Sequence, residues 1–227
     1  MSEKQIRTGI MGGAFDPIHY GHLLIAENAA AQYQLDKVIF IPSGHSPHKT
    51  KQHMTDAAHR CEMIRLAIWD NPCFDLSLFE IHSAGINYTY RTLEGLREQY
   101  PQDLFFFIMG GDSLQDFGHW KYPKRILDAS CILAAVRDDV DGSNFERQKD
   151  ELNAWYGTER IFRLNTPNFS VSSQNIRERA GSGRTIRYML PEPVRDYIME
   201  HQLYDNGAAA TRHVPDRNIR NQSYETN

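Results

Sequence analysis

Two histidines three residues apart stand at the end of the run Gly12-Gly13-Ala14-Phe15-Asp16-Pro17-Ile18-His19-Tyr20-Gly21-His22, and that combination can handle an anion. An apolar stretch, Ile6 to Met11, precedes the glycines, and an Ala- and Leu-rich stretch, His22 to Leu35, follows. The pattern predicts a strand, a glycine turn and a helix start. Three residues is close to one helical turn, so the imidazoles of His19 and His22 can project the same way. A helix N-terminus offers unpaired N–H groups and a partial positive charge, which suits a phosphate. Gly12 and Gly13 let an anionic ligand approach the backbone closely. The run therefore predicts a nucleotide-phosphate site with two cation-capable donors. Its glycines are not spaced G-x-G-x-x-G, and no G-x-x-x-x-G-K-[ST] occurs, so it is neither the dinucleotide fingerprint nor a P-loop. The bland alternative, a Gly-Gly turn with inert histidines, is opposed by the attached Phe-Asp-Pro and His-x-Gly-His.

The elements that must position these residues alternate. Gln5 to Met11, Lys37 to Ile41, Leu104 to Met109 and Cys131 to Val136 are short apolar runs, as expected for buried parallel strands. A further strand lies within Phe74 to Ile81, in one piece or two, and a last one at Arg160 to Leu164. Helical stretches are His22 to Leu35, Thr55 to Trp69 with Thr55 and Asp56 as a cap, Tyr90 to Gln99, a polar one near Asn144 to Tyr156, and Pro191 to Leu203. Such alternation predicts an α/β, Rossmann-like, doubly wound and mainly parallel sheet with helices on both faces. Ligands in such sheets sit beyond the carboxyl ends of the strands. Gly12, Pro42 to Lys49, Gly110 to Leu114 and Ser170 to Arg177 all follow strand ends, so they converge on one cleft.

The 227 residues suffice for one domain with a full core, expected over 1–204, and the polar stretch 205–227 reads as a flexible tail. A net charge of -4 supplies no basic surplus for binding nucleic acid. Cys61, Cys73 and Cys131 form an odd, scattered set without C-x-x-C, which favours reduced thiols in a cytosol. No signal-like N-terminus and no run of about 18 apolar residues is present, so the chain is expected to be soluble and cytoplasmic, without a membrane partner.

Four separated segments carry a family resemblance: the glycine–histidine run, Pro47-His48-Lys49, Gly110-Gly111-Asp112-Ser113-Leu114 with Trp120 after it, and Val171-Ser172-Ser173-Gln174-Asn175-Ile176-Arg177. In order and spacing, over about residues 5 to 204, they resemble the HxGH nucleotidylyltransferases, in the form closest to the bacterial nicotinate-mononucleotide adenylyltransferases. The serine segment departs from the family's I-S-S-T-x-I-R at Gln174, where a threonine with its hydroxyl is usual; the departure bears on one hydroxyl contact and not on the site as a whole.

The resemblance implies transfer of AMP from ATP to nicotinate mononucleotide, with His19, His22 and Arg177 as catalytic residues. It assigns Gly12, Gly13, Phe15, His19, His22, Gly111, Asp112, Ser172, Ser173, Ile176 and Arg177 to ATP. It assigns Asp16, Lys49, Thr89, Trp120 and Tyr122 to the mononucleotide. The chemistry agrees. An attacking phosphate oxygen is already ionised, so positioning and charge neutralisation are what the protein must supply. Histidine donates a hydrogen bond in either charge state. Serine hydroxyls with free N–H groups at a helix start make a second phosphate cradle, and the planar fork of Arg177 suits a phosphate. Asp112 can accept from ribose hydroxyls or metal-bound water. Trp120 or Tyr122 can offer a face to a pyridine ring. Lys49 lies in the stretch His45 to His53, a basic lid in this reading. Mg2+ is expected, bound mainly through ATP phosphates.

Alternatives stand beside this reading. The acceptor could be nicotinamide mononucleotide or phosphopantetheine, and a homo-oligomer is compatible with the chain. A non-catalytic nucleotide-binding regulator should lack a histidine or Arg177, and this chain keeps them. Zinc on His-x-x-His with Asp16 or Asp112 would need supporting Cys or an H-E-x-x-H pattern, and neither occurs.

Overall fold

A computed structural model of the chain describes residues 5–44, 54–137 and 142–205. The stretch His45 to His53, with Lys49, therefore lies outside the described residues, as does most of the expected tail. Six strands form one sheet: β1 (Arg7–Gly13), β2 (Lys37–Pro42), β3 (Phe74–Leu76), β4 (Leu104–Gly110), β5 (Cys131–Arg137) and β6 (Ile161–Thr166). Every pairing is parallel and the spatial order is β3-β2-β1-β4-β5-β6. The chain steps outward from β1 to β3 and then returns to the other side of β1. The loops after β1 and β4 consequently diverge, and a crevice opens between them at the switch point.

Nine helices among the described residues surround the sheet: α1 (Tyr20–Tyr33), α2 (Ala57–Ile68), α3 (Phe79–His82), α4 (Thr89–Gln99), α5 (Gly111–Gln115), α6 (Pro123–Ala129), α7 (Gly142–Tyr156), α8 (Ser173–Gly181) and α9 (Glu192–Glu200). Alternation along the strands separates two cores. Met11, Phe106 and Ile108 face Ala26 and Ala29 of α1, Met63 and Ile64 of α2, Ile176 of α8, and Val194 and Ile198 of α9. Ile10, Phe105 and Phe107 face Leu93 of α4, Ile126 of α6 and Phe145 of α7. Both faces are thus covered, which is why the strands read as continuous apolar runs. Each fully buried large aliphatic or aromatic side chain contributes about 2 kcal/mol.

Three differences from the sequence reading bear on the site. β1 does not end before the glycines: Gly12 and Gly13 remain paired with Ile41 and Pro42, because β2 continues far enough to accept them. α1 starts at Tyr20, not His22, with the extended residue His19 as its N-cap. The segment between Gly111 and Ala129, expected only as a glycine segment followed by aromatics, forms α5, a 3-10 turn over Phe117–His119 and α6. Pro123 at the start of α6 was the available signal there. The Phe74 to Ile81 stretch resolves into two pieces, β3 and α3. Among the described residues, no helix is long and apolar enough to cross a membrane.

Candidate active site

The loop from β1 into α1 is held from several sides. The amide of Ser43 donates to the Gly13 carbonyl at 2.8 Å, which keeps the ends of β1 and β2 in register. Phe15 adopts φ 49° and is only 2 % exposed, a left-handed conformation that its burial offsets. Its ring meets His22 edge-on, with centroids 5.0 Å apart. The two imidazoles stack at a centroid distance of 3.8 Å and an interplanar angle of 26°. The His19 amide donates to Nδ1 of His22 at 3.3 Å. An accepting Nδ1 places the proton of a neutral His22 on Nε2, which leaves that atom a donor. Gly21 has a steric reason to be glycine: a Cβ there would lie 3.0 Å from the His19 ring.

His19 is 6 % exposed, and burial pushes its pKa down to about 4. It is therefore neutral at physiological pH in the free protein. Its Nδ1 is buried without a hydrogen-bond partner among the described residues. An anion brought into contact would favour the charged ring.

The serine segment closes onto the same loop. Ser172 caps α8, its Oγ accepting from the Asn175 amide at 3.2 Å. The Ser173 hydroxyl donates to the Pro17 carbonyl at 2.9 Å. Nη1 of Arg177 donates to the Asp16 carbonyl at 2.6 Å. The start of α8 is thereby tied to the loop that leads into α1, and Gly21, His22, Ser172 and Ser173 line a common opening.

Three adjoining cavities follow the carboxyl ends of the strands. The central one, about 500 Å³, is lined by Gly12, His19, His22, Asp112, Ser172 and Ser173, with Trp120 at its side. A second, about 350 Å³, shares Gly12 and Trp120 with it and extends past Gly13 to Asn87, Thr89 and Lys121. A third, about 270 Å³, shares Asp112 with the central cavity and is walled by Gly111, Ala135, Val136 and Phe145. The Trp120 indole is held by Phe107 and Phe117, at centroid distances of 6.1 and 5.8 Å. Glu80, 9 % exposed, lines the second cavity. Burial pushes its carboxyl pKa up, and the Thr92 hydroxyl, donating at 2.7 Å, opposes that.

Several expected contact residues do not line these cavities. The Phe15 ring supports His22 from the core, and Ile176 is fully buried, its amide taken by the Ser172 carbonyl at 3.1 Å. Asp16 is 4 % exposed, with one carboxylate oxygen accepting from the Thr55 amide at 3.1 Å and the other from the Tyr204 hydroxyl at 2.7 Å. Its carboxylate is occupied inside the protein and not presented to a ligand. Tyr122 is 52 % exposed and packs edge-on against Tyr90, so of the two expected aromatics Trp120 lines the cavity. Arg177 reaches the loop backbone and is not among the lining residues. Asn87 and Lys121 line the second cavity and were passed over in the sequence. The flanking Thr89 and Trp120 were their only signal.

Among the described residues, no group of three or more His, Cys, Asp or Glu side chains could hold a metal ion. The polar groups that line the central cavity are imidazoles and hydroxyls, which can donate to an anion, and the Asp112 carboxylate, which can only accept. That set fits a divalent cation carried mainly by phosphate and water oxygens, not one caged by protein.

Residues 10–179 match the cytidylyltransferase-like family. A probable nicotinate-nucleotide adenylyltransferase from Thermoanaerobacter is 40% identical over 89% of this chain and 96% of its own length. Its counterpart of the same name from Lachnoclostridium phytofermentans is 44% identical over 87% and 98%. The fold is similar to that of Plasmodium falciparum nicotinic acid mononucleotide adenylyltransferase complexed with NaAD, with a TM-score of 0.71 and 20% identity over 88% of this chain and 97% of that one.

Proposed function

The chain belongs to the cytidylyltransferase-like family and, within it, to the nicotinate-nucleotide adenylyltransferases, and from that footing we infer its reaction: adenylyl transfer from ATP to nicotinate mononucleotide. The products are nicotinate adenine dinucleotide and pyrophosphate, a step in making NAD. The observation that carries this reading is the central cavity, where two stacked imidazoles and the starts of two helices face one space between two further cavities.

In this reading the three cavities divide the substrates. The third cavity, with Ala135, Val136 and Phe145 for a purine and Asp112 for ribose hydroxyls, takes adenosine. The central cavity takes the triphosphate. The second takes the mononucleotide, with the pyridine ring against Trp120 and near Thr89. The phosphate oxygen of the mononucleotide attacks the α-phosphorus while pyrophosphate leaves on the opposite side. No general base is required, because the nucleophile is ionised at neutral pH.

His22, with a proton on Nε2, donates to the oxygens on which negative charge grows. His19 starts neutral and gains a proton as the anion enters. Buried and stacked on His22, a positive charge on His19 is stable only beside phosphate. Amides at the starts of α1 and α8 add directed donors. Arg177, through the Asp16 carbonyl, and Ser173, through the Pro17 carbonyl, hold the loop that carries His19. Mg2+, bound with the triphosphate, supplies charge neutralisation on its oxygens.

The test is direct. Purified protein incubated with ATP, Mg2+ and nicotinate mononucleotide should yield the acid dinucleotide and one pyrophosphate per dinucleotide. Absence of the dinucleotide would overturn the reading.

A further inference from the structure

We propose that Arg60, which lines none of the three cavities, is a positioning residue that shapes the acceptor's cavity. Arg60 sits in the first turn of α2 and is 1 % exposed, among the largest side chains fully buried in the protein. Its guanidinium donates to three backbone carbonyls from three different segments: Nη1 to Ala14 at 2.8 Å, Nη2 to Ser43 at 2.9 Å, and Nε to Thr55 at 2.9 Å. Ala14 follows β1, Ser43 follows β2, and Thr55 precedes α2. Asp16 completes the arrangement from the other side. Its carboxylate accepts the Thr55 amide at 3.1 Å, so one residue is gripped by a cation at its carbonyl and an anion at its amide. Asp16 also supplies the nearby negative charge that a buried guanidinium needs.

A buried charge is a costly way to anchor a helix, since an apolar side chain of similar volume would do it more cheaply. What only arginine offers here is a rigid planar fork with several diverging donors. Two of its three acceptors, Ala14 and Ser43, line the second cavity, and neither lines the central one. The consequence is selective. Loosening this fork displaces the wall that faces the mononucleotide while leaving the imidazoles and the triphosphate cradle in place.

This rests on the substrate assignment above. Arg60→Gln and Arg60→Lys should be compared with wild type in steady-state assays that vary each substrate, at temperatures well below each protein's measured melting point. Arg60→Gln should raise KM for the mononucleotide about tenfold, the scale of a lost hydrogen bond to a charged group, with KM for ATP nearly unchanged. Arg60→Lys, which keeps the charge but not the fork, should fall between, and it decides the matter alone should the glutamine variant fail to fold. Parallel changes in both KM values, or an unchanged acceptor KM, would overturn the proposal. A wild-type protein inactive with nicotinate mononucleotide would instead overturn the substrate assignment beneath it.

Discussion

His19 and His22 stack with centroids 3.8 Å apart, and the backbone amide of the first donates to the ring of the second at 3.3 Å. One residue is thus the N-cap of α1 and a ligand-facing side chain at once. Burial lowers the pKa of the His19 ring to about 4, so that ring is neutral in the free protein.

His22→Ala should reduce kcat by about 100-fold or more, the scale of a lost oxyanion-type donor. KM for ATP should change much less, because the helix amides and serines still hold the phosphates. Stopped-time measurement of pyrophosphate release checks this. Near-normal turnover would remove His22 from the chemistry.

The depressed pKa of His19 has a consequence for stability. Its folded value, about 4, lies below the ordinary 6.5, so between those pH values the unfolded chain binds the extra proton and the folded one does not. Stability from this group is therefore complete above pH 6.5 and is lost as pH falls from 6.5 towards 4, by about 3 kcal/mol in full. Denaturant titrations across that window should show a shallower loss for His19→Gln than for wild type. Identical slopes would contradict the assignment.

Trp120→Ala should raise KM for the mononucleotide about tenfold through the loss of a stacking face, with a smaller change for ATP. Wild-type tryptophan emission should respond to the mononucleotide, and that response should shrink in the variant. Equal KM values in both proteins would place the pyridine elsewhere.

The two serines should separate by readout. Ser172→Ala removes an N-cap and should cost about 1 kcal/mol of stability, seen as a lower melting temperature. Ser173→Ala removes the bond to the Pro17 carbonyl and should lower kcat several-fold with little change in melting. The reverse pattern would mean that Ser173 holds the fold and not the loop.

Much of the fold was legible because its strands are buried on both faces and read as apolar runs, and because glycines, prolines and caps punctuate them. β1 ran on through Gly12 and Gly13 because its length depends on β2, a partner that local sequence does not reveal. Residues whose chemistry is unusual for a turn, His19, His22, Ser172 and Ser173, do come together on one cavity. The sequence does not show which motif side chains turn inward: those of Phe15 and Ile176 are core, and the Asp16 carboxylate accepts from Thr55 and Tyr204. Arg60 was invisible for a similar reason. A charged residue in an amphipathic helix reads as solvent-facing, and only the convergence of three carbonyls from separate segments shows otherwise. Tyr204 lies 188 positions from its partner, a separation over which no local pattern operates.

The most direct test of the account is pyrophosphate release measured side by side with nicotinate mononucleotide and its amide counterpart, each against ATP at fixed Mg2+. A higher kcat/KM with the acid is predicted, together with its collapse for both acceptors in His22→Ala. Faster release with the amide, or a His22→Ala enzyme as active as wild type, would contradict it.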